Sequence, residues 1–203
     1  MTMIKFCGIR RQEDVDYVNE VKPDLVGFVF WPKSKRCITI EQAVELADRI
    51  PDEIGTVGVF LDATLEEIIE VASTGAIDYI QLHGNESDRY IYMIKTYTGL
   101  PVIKAFVIKS QEDIEKALNS MADYIMLDSG PGTGETFDWS VLGDLGRPYF
   151  LAGGLNPTNV GGAIAKLQPM GVDTSSGIET DGCKDLEKMK AFKEEVIKAS
   201  ETI

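Results

Sequence analysis

Short apolar runs alternate along the chain with longer segments in which apolar positions recur every three or four residues. The short runs predict buried parallel strands, and the longer spacing predicts amphipathic helices. Eight strands are predicted, at residues 4–7, 25–30, 56–61, 79–83, 102–106, 124–128, 148–151 and 171–174. Helices are predicted between and after them, including residues 40–49, 65–73, 86–97, 111–118, 156–167 and 186–199.

Repeated strand–helix units predict an α/β fold in which helices cover a parallel sheet. Eight units favour a closed (β/α)8 barrel, a TIM barrel, at the small end of that fold's range of roughly 200 residues and more. An open doubly wound sheet is the alternative, although it usually has about five or six strands. Because no linker or change in composition interrupts the chain, residues 1–203 are expected to form a single barrel domain.

Polar residues at the predicted helix starts agree with these assignments. Thr39 is expected to cap the helix at 40–49, and Asp62 or Thr64 the helix at 65–73. Asn156 with Pro157 is expected to open the helix at 156–167.

Composition narrows the classes of function. Hydrophobic residues make up 44% and charged residues 26%, as in ordinary globular proteins. A net charge of -13 argues against a nucleic-acid partner, because the phosphates would be repelled. Three cysteines without metal-like spacing (Cys7, Cys37 and Cys183) and one histidine argue against a disulfide framework or a zinc site. No apolar run approaches the roughly 20 residues of a membrane span, so we expect a cytoplasmic protein with no membrane partner.

A barrel would bring the carboxyl ends of all its strands to one face, which is where this fold carries its chemistry. We therefore expect one mouth lined by Cys7, the loop with Arg36, His83, Asp128, Gly153, Gly154 and the segment from Asp173 to Gly177.

The sixth predicted strand ends on a carboxylate, Asp128, and is followed at once by a glycine-rich loop at residues 130–134. An acid at a strand end beneath a loop that can close over it is typical of α/β active sites. The loop lacks the Gly-Lys-Ser/Thr ending of a P-loop and the dinucleotide pattern, so we interpret it as a lid. The alternative is a strand that ends on a helix-capping aspartate.

Two further residues suit acid–base and anion chemistry. Cys7 ends the first strand, where a thiolate near helix N-termini could act as a base, although a lone cysteine there is more often part of the core. Arg36, in the loop after the second strand, could hold a carboxylate through two parallel hydrogen bonds or could belong to a solvated basic loop.

The turns after the seventh and eighth strands predict a phosphate site. Gly153 and Gly154 allow close backbone approach before a helix start, and Ser176 with Gly177 forms a second such turn. The alternative is two tight turns that need glycine only for geometry. His83 is as compatible with a core or rim position as with a functional one, and Asp173 could contact sugar hydroxyls or cap the next turn.

Seven motifs occur in one order along essentially the whole chain. They are KFCGIR at residues 5–10, PKSKR at 32–36, QLHG at 81–84, LD with the glycine loop and FDW at 127–139, LAGGLNPTNV at 151–160, GVDTSSGIE at 171–179 and GCKD at 182–185. Together they resemble the phosphoribosylanthranilate isomerases of tryptophan biosynthesis. The chain departs from the family pattern at Pro131, Glu135 and Thr174, and the first two bear on how the lid moves.

The resemblance implies a (β/α)8 barrel that converts N-(5-phosphoribosyl)anthranilate to 1-(2-carboxyphenylamino)-1-deoxyribulose 5-phosphate, the third step from chorismate. It implies no cofactor and no metal, a small phosphosugar substrate as partner, and either a monomer or a homodimer. Position by position, it implies that Asp128 is the general acid, that Cys7 is the general base and that Arg36 holds the anthranilate carboxylate. The phosphate would be held by backbone amides around Gly153, Gly154, Ser176 and Gly177.

Other functions for such a barrel remain open. A pentose-phosphate epimerase would normally use metal-binding histidines, and the chain has one histidine. An indole-forming synthase would need a strand-end lysine paired with a glutamate. Lys104 lies in the fifth strand, but the sequence indicates no matching glutamate at a neighbouring strand end. A silent barrel that only binds a phosphate ligand could have lost Cys7, Asp128 or Arg36, and all three are present.

Overall fold

Eight parallel strands pair in chain order and close into a barrel in the computed structural model, which describes residues 1–129 and 145–202. The strands are β1 Met3–Cys7, β2 Leu25–Val29, β3 Gly55–Phe60, β4 Tyr79–Leu82, β5 Val102–Val107, β6 Tyr124–Asp128, β7 Tyr149–Ala152 and β8 Gly171–Thr174. The predicted α/β barrel is therefore confirmed.

Helices surround this barrel. In the described residues they are α1 Gln12–Val21, α2 Ile40–Ala47, α3 Leu65–Ser73, α4 Asp88–Thr98, α5 Gln111–Leu118, α6 Val160–Leu167 and α7 Leu186–Glu201. A 3-10 helix at Ser176–Ile178 and a small antiparallel pair, β9 Glu179–Thr180 with β10 Cys183–Lys184, follow β8. No helix among the described residues is long and apolar enough to cross a membrane.

Local capping explains most helix starts and corrects one. Thr39 and Thr64 accept hydrogen bonds from the amides of Gln42 and Glu67, as predicted for α2 and α3. The predicted start of α6 at Asn156 is wrong, because the Asn156 side chain accepts from the amide and hydroxyl of Thr158 and forms a separate turn. The helix itself begins four residues later.

Asp62, the other candidate cap for α3, has a φ of 50° and instead accepts a hydrogen bond from the amide of Asn85. After β6 the sequence indicates only a short helix candidate near residues 139–142, and it lies outside the described residues.

Side chains alternate between the two faces of each strand, which separates two buried clusters. The inner cluster fills the barrel and contains Leu25, Val29, Val57, Val59, Ile103, Ala105, Met126, Phe150 and Ala152. The residues between them on the strands, such as Val26 and Leu82, belong to the larger cluster that packs against the helices. Alternation therefore turns Lys5 and Cys7 of β1 toward the barrel interior.

Strand register at the closure of the barrel decides which residues meet. β1 pairs with β8 so that Lys5 stands opposite Asp173, and with β2 so that Cys7 stands opposite Gly27. Helix α7 covers the outer face of β1, where the rings of Phe6 and Phe192 meet edge to face at 5.9 Å. The closure of the barrel thus places Lys5, Cys7 and Asp173 next to one another on its inner wall.

Candidate active site

The residues that the sequence singled out lie along one rim of the barrel. Cys7 and Asp128 are the last residues of β1 and β6, and His83 directly follows β4. The other members follow three further strands: Arg36 after β2, Gly153 and Gly154 after β7, and Ser176 and Gly177 after β8. The structure therefore brings these residues to one mouth.

An ion pair that the sequence did not indicate lies beneath this mouth. The Lys5 ammonium donates to Oδ1 of Asp173 at 2.6 Å, and Lys5 is fully buried. Asp173 was predicted to contact a sugar or cap a turn, and it forms this pair instead of a cap. A sugar contact by Asp173 stays a prediction. The available signal was a lysine in an apolar strand, two residues before Cys7 and therefore on the same face.

The electrostatics around Cys7 combine burial with several charges. Burial raises the pKa of the Cys7 thiol, and the ammonium groups of Lys5 and Lys184 oppose that effect. The Asp173 carboxylate adds to the effect of burial, so the pKa stays above its ordinary value. Burial alone would lower the pKa of Lys5, but the Asp173 carboxylate and the Cys7 sulfur outweigh it and leave that pKa raised. Lys5 is therefore held charged next to the sulfur.

Arg36 already holds a carboxylate of the protein. Its Nε and Nη2 donate to the two oxygens of Glu179, each at 2.7 Å. Lys184, on β10, donates to the same carboxylate at 2.8 Å and to the backbone oxygen of Ser175 at 2.9 Å. The Ser175 hydroxyl in turn donates to the carbonyl oxygen of Cys7. A continuous chain of polar contacts thus links Arg36 to Cys7. Its central member, Glu179, was not among the predicted site residues.

The charges in this network reinforce one another. Burial opposes ionisation of Glu179, but hydrogen bonds from Arg36 and Lys184 hold its pKa at about 2. Hydrogen bonding to Glu179 in turn raises the pKa of Arg36. Burial lowers the pKa of Lys184, and the Glu179 carboxylate opposes part of that effect. Glu179 is therefore an ionised acceptor that fixes one edge of the Arg36 guanidinium.

His83 lies between an amide and the candidate acid. Nε2 of His83 is 3.3 Å from Oδ2 of Asp128, and Nδ1 is 3.2 Å from the Gln81 amide nitrogen. Of the two neutral tautomers, the one that accepts at Nδ1 from the Gln81 amide carries its N–H on Nε2, which faces the Asp128 carboxyl group. Asp128 is partly exposed at the mouth, with a side-chain exposure of 15%. The predicted lid above it, with Pro131 and Glu135, lies outside the described residues.

Glycine is required in the turn after β7 by backbone shape and in the turn after β8 by close packing. Gly153 and Gly154 have φ angles of 94° and 65°, and a Cβ on Gly153 would collide with the side chain of Ser129. A Cβ on Gly177 would collide with the carbonyl oxygen of Leu155, which also accepts a hydrogen bond from Thr174 at 2.6 Å. The two turns are thereby packed against each other on one side of the mouth.

A second buried lysine corrects one statement made from the sequence. Lys104 of β5 does have a glutamate partner: its Nζ is 3.0 Å from Oε2 of Glu86, in the loop after β4. The pair does not lie at the mouth of the barrel. Ile103 and Ala105 face inward, so Lys104, which stands between them on β5, points to the helix layer. Across residues 1–129 and 145–202, no group of three or more metal-ligating side chains could hold a metal ion.

Comparison with known proteins agrees with this arrangement. The model of the N-(5'-phosphoribosyl)anthranilate isomerase family matches residues 4–195. An N-(5'-phosphoribosyl)anthranilate isomerase of Thermoanaerobacter sp. (strain X514) is 47% identical over 203 residues, covering 97% of this chain and 98% of that protein.

Two solved structures extend the similarity to the whole fold. The crystal structure of phosphoribosyl anthranilate isomerase from Thermotoga maritima superposes with a TM-score of 0.89 at 40% identity, covering all of both chains. A phosphoribosyl anthranilate isomerase in complex with reduced 1-(o-carboxyphenylamino)-1-deoxyribulose 5-phosphate gives 0.88 at 39% identity, with 98% of this chain and 100% of that one covered. The chain belongs to the N-(5'-phosphoribosyl)anthranilate isomerase family.

Proposed function

We propose that this site converts N-(5-phosphoribosyl)anthranilate to 1-(2-carboxyphenylamino)-1-deoxyribulose 5-phosphate, with Cys7 and Asp128 as its base and acid. The observation that carries the proposal is that a thiol and a carboxyl group lie at the carboxyl ends of β1 and β6 in a chain of this family. The complex of a 39% identical relative with the reduced product supports the same substrate class.

The first step needs a proton at the ribose ring oxygen. Asp128 donates it, the bond between C1 and the ring oxygen breaks, and the nitrogen lone pair forms a Schiff base. The imidazole of His83, whose Nε2 lies 3.3 Å from Oδ2 of Asp128, is placed to orient this carboxyl group. A direct contact of His83 with the sugar remains part of the proposal.

The second step removes the proton from C2 of the sugar. The Cys7 thiolate takes that proton and becomes a thiol, while the bonding electrons form the C1–C2 double bond of an enolamine. Tautomerisation to the ketone completes an isomerisation with no net change in oxidation state. One positioned acid and one positioned base each contribute on the order of 10²–10⁴-fold.

Two anchors would hold the ends of the substrate. Arg36 would bind the anthranilate carboxylate, and Glu179, which holds its Nε and Nη2, leaves the Nη1 side of the guanidinium for the incoming anion. Backbone amides of Gly153, Gly154, Ser176 and Gly177 would bind the phosphate, as glycine-rich turns and helix starts do in this fold. Binding at both ends positions the reacting atoms between them.

The test follows the loss of anthranilate-type fluorescence when the chain is added to phosphoribosylanthranilate made in situ. We expect fast decay with the parent chain, and turnover lower by about 10²-fold or more with Cys7→Ala and Asp128→Asn. Cys37→Ala is the matched control, because Cys37 is also partly exposed but lies in the loop after β2. Arg36→Ala should chiefly raise KM. Ligand binding by a folded parent chain without turnover would contradict the proposal and favour a silent barrel.

Two expectations about the whole protein accompany this function. We propose a cytoplasmic enzyme, for which cell fractionation is the test. The assembly is proposed to be a monomer or a homodimer, and light scattering during size-exclusion chromatography distinguishes the two from the 22.4 kDa mass of one chain.

A further inference from the structure

The barrel wall beneath Cys7 contains a charged group that the reaction scheme above does not use. Lys5 is fully buried, yet it lies on the inner face of β1, where alternation places it with Cys7. A buried ammonium is costly unless it is paired, and Asp173 pairs with it at 2.6 Å across the closure of the barrel. The register Lys5–Asp173 between β1 and β8 fixes that pair in place.

Gly27 of β2 shows how near the ammonium is to the sulfur. A Cβ built on Gly27 would stand 3.0 Å from Sγ of Cys7 and 3.2 Å from Nζ of Lys5. The sulfur and the ammonium nitrogen therefore both lie beside the position that a side chain at Gly27 would occupy. A positive charge this close favours a thiolate over a thiol.

We propose that Lys5 is a positioning residue whose ammonium group, fixed by Asp173, stabilises the thiolate form of Cys7 for proton removal. The inference rests on the proposed role of Cys7 and adds to it the group that makes a buried thiol usable as a base. Because Lys5 is fully buried, the proposal assigns it no contact with the substrate.

Other charges also face Cys7 and must be separated from the effect of Lys5. Asp173 on β8 opposes the thiolate, Lys184 on β10 favours it, and Arg36 after β2 lies close enough to interact with the sulfur. Lys184 and Arg36 share the Glu179 carboxylate, which offsets part of their charge. The charge of Lys5 is likewise offset by Asp173. Removing Lys5 should therefore raise the pKa of Cys7, and removing Asp173 should lower it.

The experiment measures the rate of alkylation of Cys7 by iodoacetamide as a function of pH. Replacing Cys37 and Cys183 with serine leaves Cys7 as the sole cysteine of the chain. In this background Lys5→Met should shift the midpoint of the profile upward by about 1 to 3 pH units. Asp173→Asn should shift it downward, because Lys5 keeps its charge and loses the opposing carboxylate.

The double variant Lys104→Met/Glu86→Leu is the matched control, since it removes an equally buried lysine that faces the helices without leaving Glu86 unpaired, and it should leave the midpoint unchanged. If Lys5→Met does not fold, the double variant Lys5→Met/Asp173→Asn replaces it, and its midpoint should lie above that of Asp173→Asn alone. Midpoints that stay within about 0.3 pH unit of the parent in folded Lys5 and Asp173 variants would overturn the proposal. The thiol profile does not depend on turnover, so a parent chain without isomerase activity would refute the proposed function and still test Lys5.

Discussion

Lys5 and Lys104 are both buried, both lie on barrel strands, and both pair with a carboxylate at 3.0 Å or less. They differ in the side of the strand that they occupy. Lys5 faces the barrel interior beside a sulfur, whereas Lys104 faces the helices over the ring of Phe106, 5.3 Å from its centroid. The same type of ion pair can therefore support chemistry on one face of a strand and architecture on the other.

The hydrogen bonds of Lys104 describe the architectural role. Its ammonium donates to the backbone oxygens of Gly84 and Ala105 and to Glu86, which matches its three donors. Glu86 also accepts from the amides of Asp62 and Gly84. The pair thus ties together the loops after β3 and β4, and it holds the backbone next to His83.

The largest expected effect comes from breaking this architectural pair. Lys104→Met leaves Glu86 buried without its cation and should lower the free energy of unfolding by about 3–5 kcal/mol. Urea denaturation measures the loss. The double variant Lys104→Met/Glu86→Leu should lose less, because no unpaired charge is left. An equal loss in the single and double variants would contradict the assignment of Lys104 to an ion-pair tether.

A third buried lysine, Lys184, belongs to an ion pair whose contribution to stability should depend on pH. Its partner Glu179 has a pKa of about 2 against an ordinary value of 4.5, so the folded state binds this proton less readily than the unfolded chain. The contribution of Glu179 to stability is therefore complete above pH 4.5 and is lost as the pH falls from 4.5 toward 2. At full protonation the loss should be on the order of 3 kcal/mol.

Urea unfolding of the parent and of Glu179→Gln at pH 7 and pH 3 measures this dependence. The parent should lose more free energy of unfolding than the variant over that range, because the amide does not titrate. Parallel losses in the two proteins would show that Glu179 is not held ionised by Arg36 and Lys184.

The smallest effect concerns the space above β2. Gly27→Ala would press a methyl group against Cys7 and Lys5, and overpacking of this kind should cost about 1–3 kcal/mol. It should also displace the sulfur and lower turnover. Gly162→Ala is the control: its Cβ meets no atom within 4 Å on α6, and it should raise stability by about 0.5–1 kcal/mol. Stability unchanged by Gly27→Ala would argue against the close approach of the two side chains.

Local patterns were sufficient to predict the barrel. The strand at residues 124–128 and the helix at 65–73 have the predicted bounds, because apolar periodicity and a capping Thr64 are local signals. The start of α6 was misplaced, because Asn156 and Pro157 are typical of a helix start. Here the Asn156 side chain binds Thr158 in a separate turn, and the helix begins at Val160.

Partners far apart in the chain could not be predicted in the same way. Arg36 and Glu179 are 143 residues apart, and Lys5 and Asp173 are 168 apart. Strand alternation could have placed Lys5 beside Cys7, but the choice of Asp173 depends on the register at which β8 closes the barrel. Glu86 was missed as the partner of Lys104 because it lies in the loop beyond the strand end.

The measurement that tests the difference between the two lysines most directly is the pH dependence of single-turnover fluorescence decay in the parent, Lys5→Met and Lys104→Met chains. A base must be deprotonated to act, so the rate rises with pH through the pKa of Cys7, and loss of the Lys5 charge should move that rise to higher pH. We expect a displaced profile for Lys5→Met and a profile like that of the parent for Lys104→Met. Coincident profiles for all three folded chains would contradict it.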